Sequence, residues 1–82
     1  MSQLEKHFLD LIGLNCPLPV MKTRKKLAQL GEGAVLTVVA TDPMSAIDIP
    51  HMCNEDGHQL VSSQLLDEKK REFTICRGPV LA

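Results

Sequence analysis

Three cysteines, Cys16, Cys53 and Cys76, are the candidates for nucleophilic chemistry in this chain. An odd count with no C-x-x-C pair argues against a disulfide framework and against a dithiol redox centre. Cys16 stands apart because it opens the segment Cys16-Pro17-Leu18-Pro19. A residue before proline is pushed out of the α region, which is the backbone an N-cap needs. The segment therefore predicts Cys16 as N-cap and Pro17 as the first helical residue. A helix leaves its first four N–H groups unpaired; Pro17 and Pro19 remove two of them, and the Leu18 N–H becomes the expected partner of the Cys16 sulfur. Sulfur so placed meets the positive end of the helix dipole, which favours thiolate over thiol. Such cysteines titrate at about 3.5–7.5 rather than about 8.5. A persulfide anion would be held by the same field. The plain alternative is a small apolar side chain at an ordinary helix start.

The elements that must position this sulfur follow from periodicity. Phe8 to Ile12 predicts strand 1, ending at Gly13, whose freedom permits the turn that aims Cys16. Pro17 to Leu30 predicts a helix with Val20, Thr23, Leu27 and Leu30 on its core face and Gly31 as its terminator. Ala34 to Thr41 is β-branched and apolar, a buried central strand. Asp42-Pro43 predicts the start of a second helix, running to about Asp56 with Ala46, Ile49 and Cys53 inward. Pro50 lies inside it, and Gly57 ends it. His58 to Leu66 and Arg71 to Arg77 predict two further strands around a charged turn, with Phe73 and Ile75 on one face of the last and Thr74 and Cys76 on the other. The order βαβαββ predicts an α/β two-layer sandwich: a mixed four-stranded sheet with both helices on one face.

Composition narrows the function classes. With 82 residues the chain is expected to form a single domain over 1–82, with 1–7 as an N-terminal extension. A domain this small has no room for a deep enclosed site. Net charge is −1 and there are two Phe, no Tyr and no Trp. Direct nucleic-acid binding is not expected, because base readers stack on aromatics. No stretch approaches the ~20 apolar residues of a membrane span, and a polar start lacks a signal-peptide core. A cytoplasmic monomer is expected.

The stretch Asp10-Leu11-Ile12-Gly13-Leu14-Asn15-Cys16-Pro17-Leu18-Pro19 resembles the D-x-x-G-x-x-C-P-x-P signature of the TusA/SirA sulfur-carrier family. Asp42-Pro43, Asp48-Ile49-Pro50, Cys53 and Gly57-His58 are similar to that family's second-helix region, and the likeness extends over about residues 8 to 78. The resemblance implies a βαβαββ sandwich like the C-terminal domain of translation initiation factor three. It implies a sulfurtransferase component: Cys16 takes sulfane sulfur as a persulfide, from a cysteine desulfurase or another donor protein, and passes it to an acceptor protein. Family pathways include tRNA 2-thiolation, sulfur oxidation, thiosulfate use and molybdenum-cofactor supply. Leu18 stands where tRNA-thiolation members carry Glu, and the last strand ends Cys76-Arg77-Gly78 where Arg-Lys-Gly is common.

Asp10, Gly13, Pro17, Leu18 and Pro19 are thus expected to shape the site around Cys16, with no resident cofactor and no metal. Cys53, four residues after Ile49 on the helical core face, is expected to be inert packing. No helix end activates Cys76. His51, Cys53, His58 and Cys76 lack standard zinc-ligand spacing. Lys22, Arg24, Lys25 and Lys26 form a basic stretch after Cys16, either a solvated face or the surface that meets an acidic partner. Two rivals remain at this point: an autonomous rhodanese-like cysteine enzyme, and a non-catalytic interaction or RNA-binding module. The first should need a substrate pocket; the second should survive loss of Cys16.

Overall fold

The computed structural model of the chain describes residues 6–79. Its elements are β1 (Lys6–Leu11), α1 (Leu18–Ala28), β2 (Val35–Ala40), α2 (Ser45–Asp56), β3 (Gln59–Leu65) and β4 (Arg71–Cys76). The sheet order is β1-β2-β4-β3. β1 pairs parallel to β2, and β4 pairs antiparallel to both β2 and β3. The expected mixed sheet is present, and β1 begins at Lys6, so residues 6 and 7 belong to the strand rather than to an extension.

Strand alternation sorts the sheet into two faces. Leu36, Val38 and Ala40 of β2 align with Leu9 and Leu11 of β1 and with Ile75 and Phe73 of β4. These join Leu27 of α1 and Ile49, Met52 and Cys53 of α2 in one buried cluster. Both helices therefore cover the same face. Phe8 lies on the opposite face and is 61% exposed. β2 is central because it reads as an apolar run. β3 is an edge strand, and exposed polar residues blunt such edges.

Local details differ from expectation for identifiable reasons. α2 starts at Ser45, three residues after Asp42, because Asp42-Pro43-Met44 forms a turn in which the Ser45 N–H donates to the Asp42 carbonyl (3.0 Å). Ser45, Ile49, Met52 and Cys53 of α2 are buried, while Ala46 is exposed. Gly31 does not terminate α1. The helix closes on Gln29, whose backbone remains right-handed, and the positive φ of that loop falls on Gly33. Gly57 does end α2 in the left-handed conformation, φ 78°. In β3 the register slips between Leu60 and Ser62. The extra residue puts Leu60 on one face with Ser63 and Leu65.

The C-terminal end is tied down opposite the β1–α1 loop. The Gly78 N–H donates to His58 Nδ1 (2.9 Å), and a Cβ at position 78 would run into the Gly57 carbonyl. Arg77 donates to the Leu27 carbonyl at the end of α1 (3.1 Å). Burial and, next, the charge of Arg77 hold His58 below the ordinary histidine value, with Arg24 adding to this and Asp56 opposing it.

Two stability tests follow. Phe73 is fully buried, so Phe73→Ala should cost about 3–5 kcal/mol in urea unfolding; Phe8→Ala should stay within about 0.5 kcal/mol. Because His58 binds its proton less readily folded than unfolded, its contribution is complete above about pH 6.5 and declines as pH falls through the lowered folded value. His58→Asn, which keeps an acceptor but does not titrate, should flatten that acid-side slope; an unchanged slope would remove His58 as its source.

Candidate functional site

Cys16 lies in the six-residue connection 12–17 between β1 and α1. That loop is fixed mainly by the next one, residues 41–44, which leads from β2 to α2. The Gly13 N–H donates to Thr41 Oγ1 (2.9 Å), and the Cys16 N–H donates to Asp42 Oδ2 (2.6 Å). The other Asp42 oxygen accepts from the Met44 N–H (3.2 Å). One carboxylate thus clamps the cysteine backbone to the turn that opens α2. Within the first loop, Asp10 Oδ1 accepts from the Ile12 N–H (3.0 Å). Gly13 has φ 86°, a conformation other residues rarely adopt. Pro19 is buried beneath the start of α1, while Cys16, Pro17 and Leu18 are exposed. The Cys16–Pro17 peptide is cis.

The cap differs from the one the sequence predicts. α1 begins at Leu18 and its N-cap is Pro17, with no side-chain cap bond. The Leu18 N–H donates to the Asn15 carbonyl (2.9 Å), so it is occupied by backbone and is not the partner of the sulfur. The sulfur instead faces α2: Cys16 Sγ donates to Asp48 Oδ2 at 3.5 Å. The electrostatic consequence is the reverse of a helix-end thiolate. The Asp48 hydrogen bond, then partial desolvation, then the negative charges of Asp48 and Asp42 all raise the Cys16 thiol above its ordinary value. The side chain itself is exposed.

The other candidates distribute as follows. Cys53 is buried at 2% exposure, and burial pushes it up to about 11. Cys76 is half-buried, with Sγ 3.8 Å from the Gly33 carbonyl, at the sheet end away from Cys16. Among the described residues no cluster of three or more His, Cys, Asp or Glu could hold a metal ion. His51 pairs with Glu55. The basic stretch splits: Arg24 turns to α2, meeting Asp56 at 2.7 Å and Glu55 at 3.8 Å, whereas Lys22, Lys25 and Lys26 line a shallow groove with Leu9 and Gln29.

Thr41, Asp42 and Asp48 are the contacts of the site that local sequence reasoning does not supply as such. The available signal is topological. Parallel strands β1 and β2 end at the same sheet edge, so the helices that follow them begin side by side, and polar residues at those two starts become neighbours. Large apolar side chains are also exposed in the segments that meet there: Ile12, Leu18, Met21, Met44 and Ile47.

The sequence profile of a family described as Sulfurtransferase TusA matches residues 7–77. A sulfur carrier protein TusA from Pseudomonas putida is 48% identical over 56 residues, covering 68% of this chain and 70% of that protein. One from Pseudomonas entomophila is 50% identical over the same coverage. The fold is similar to the crystal structure of a SirA-like protein from Desulfitobacterium hafniense, with a TM-score of 0.78 and 34% identity over 89% of this chain and 99% of that one.

Exposure and burial separate the thiols. In native protein Cys16 should be alkylated by iodoacetamide well before Cys53, which should label only on unfolding. The Cys16 rate should rise with pH to a midpoint above the ordinary thiol value. A midpoint below that value would mean that the helix field, not the carboxylates, governs the sulfur.

Proposed function

This chain belongs to the TusA sulfurtransferase family, and we propose that its sulfur-carrying atom is Cys16 Sγ, which accepts sulfane sulfur as a persulfide and yields it to an acceptor protein thiol. The observation that carries this proposal is the exposure of Cys16 on a loop held by two long-range bonds from the 41–44 turn. A carrier must present its sulfur to two different protein partners in turn, and a rigidly mounted, exposed nucleophile suits that task. The other two cysteines do not share the geometry. Cys53 is enclosed by the core, and Cys76 is half-buried within a strand.

The surroundings of Cys16 favour docking over small-molecule turnover. The exposed apolar side chains of the segments that meet there, Ile12, Leu18, Met21, Met44 and Ile47, offer contact area to a protein, as exposed apolar patches do. A transient carrier interface is expected to be small. Lys22 and Lys25, exposed further along α1, would add salt-sensitive attraction to an acidic donor surface, which acts mainly on encounter rate. The donor would be a cysteine desulfurase or another persulfide-bearing protein. No cofactor is assigned to the chain itself; the sulfur atom is cargo. Placement in the cytoplasm and in a pathway such as tRNA 2-thiolation rests on family likeness.

The test is to load wild type, Cys16→Ser, Cys53→Ser and Cys76→Ser from a cysteine desulfurase with cysteine, then measure reductant-labile mass of one sulfur atom and its passage to an acceptor thiol. Transfer should vanish in Cys16→Ser and persist in the other two. Substantial transfer by Cys16→Ser would overturn the assignment.

A further inference from the structure

Sulfur uptake moves a proton as well as a sulfur atom. At the start Cys16 carries S–H and the donor is a persulfide, R–S–S⁻. At the end Cys16 carries S–S⁻ and the donor is R–SH. The Sγ–S bond forms, the donor S–S bond breaks with its electron pair going to the donor sulfur, and one proton passes from Cys16 to that leaving thiolate. Nothing is oxidised or reduced overall, and no further reactant is needed. Some group must take the proton as Sγ attacks and return it as R–S⁻ departs.

We propose that Asp48 is that group, the proton relay of sulfur transfer at Cys16. Asp48 sits on the first turn of α2 with Oδ2 3.5 Å from Sγ, in the geometry of a thiol donating to a carboxylate. The side chain is half-buried and projects from a helix. Asp42, the other carboxylate acting on the sulfur, is not equivalent: one of its oxygens is taken by the Cys16 N–H and the other by the Met44 N–H. Asp42 positions and Asp48 remains able to exchange a proton.

The arrangement also answers an electrostatic difficulty. An anionic persulfide approaching a Cys16 thiolate would meet that charge on top of two carboxylates, and like charges at contact distance repel. Holding the proton on Cys16 until attack removes one of those charges. After transfer the negative charge sits on the distal sulfur, about 2 Å further out along the new S–S bond. A relay so placed works within hydrogen-bond reach of the proton it moves, which is the geometric requirement for general acid–base catalysis.

The proposal rests on Cys16 as the sulfur acceptor, and two reactions separate it from that assignment. Iodoacetamide alkylation needs thiolate and no proton return. Loading from glutathione persulfide, a small donor without a docking surface, needs both. Asp48→Asn should raise alkylation at neutral pH and move its pH midpoint down, yet slow persulfide loading by about a hundredfold, the low end of general acid–base effects. Asp48→Glu should restore part of the loading rate. Asp48→Ala, read in the same way, replaces the Asn variant if that one does not fold. Loading that accelerates together with alkylation would make Asp48 a simple brake and overturn the relay. Loading that is unchanged, or both rates falling together, would overturn it as well. Failure of wild type to take up sulfur on Cys16 would instead overturn the carrier assignment itself.

Discussion

The parallel pairing of β1 with β2 is the constraint on which the rest depends. Two parallel neighbours must end at the same edge of the sheet, and each is followed here by a helix. The starts of α1 and α2 are therefore forced together, and the loops that lead into them share one small volume. Cys16 comes from the first loop, Asp42 from the second, and Asp48 from the first turn of α2. A different strand order with the same local sequences would scatter these three. The buried cluster linking β1, β2, β4 and both helices holds that end of the sheet together. The site has no enclosed walls and depends on this packing for its geometry.

The electrostatics of the cysteine come from this convergence more than from its own helix. A helix start acts on sulfur through free N–H groups, and the nearest candidate, that of Leu18, is occupied by Asn15. The neighbouring carboxylates then decide the sign. A thiol whose ionisation is held back by neighbouring carboxylates suits a carrier, because an always-reactive thiolate would be open to any small electrophile or oxidant. It also locates control of reactivity on α2, at a residue 32 positions away in sequence.

Much of this was legible in the residues. The βαβαββ order, the two-layer arrangement, the inward face of β4 and the burial of Cys53 all follow from periodicity and β-branching, which are local signals. Cys-Pro-Leu-Pro places Cys16 just before α1, where it lies, although Pro17 and not Cys16 is the N-cap. What local reasoning could not supply was the partner of each polar group. Asp42 reads as an N-cap because Asp-Pro is a common helix opening, yet its carboxylate oxygens serve the Met44 and Cys16 N–H groups. The Leu18 N–H reads as free because intraloop bonds cannot be counted from sequence. Arg24 reads as one of four cations in a basic stretch until α2 is seen to offer it Asp56. The register slip in β3 likewise depends on its pairing with β4, not on its own weak alternation.

The central claim is that Cys16, held where the two helix starts meet, is the atom that carries sulfur between proteins. Its most direct test is peptide-level mass spectrometry of the wild-type protein after sulfur loading, with persulfides trapped by alkylation, before and after exposure to an acceptor thiol. The account predicts the added sulfur on the peptide containing Cys16, lost from it once the acceptor is added. Added sulfur found on the Cys53 or Cys76 peptide, or sulfur that stays on Cys16 when an acceptor is present, would contradict it.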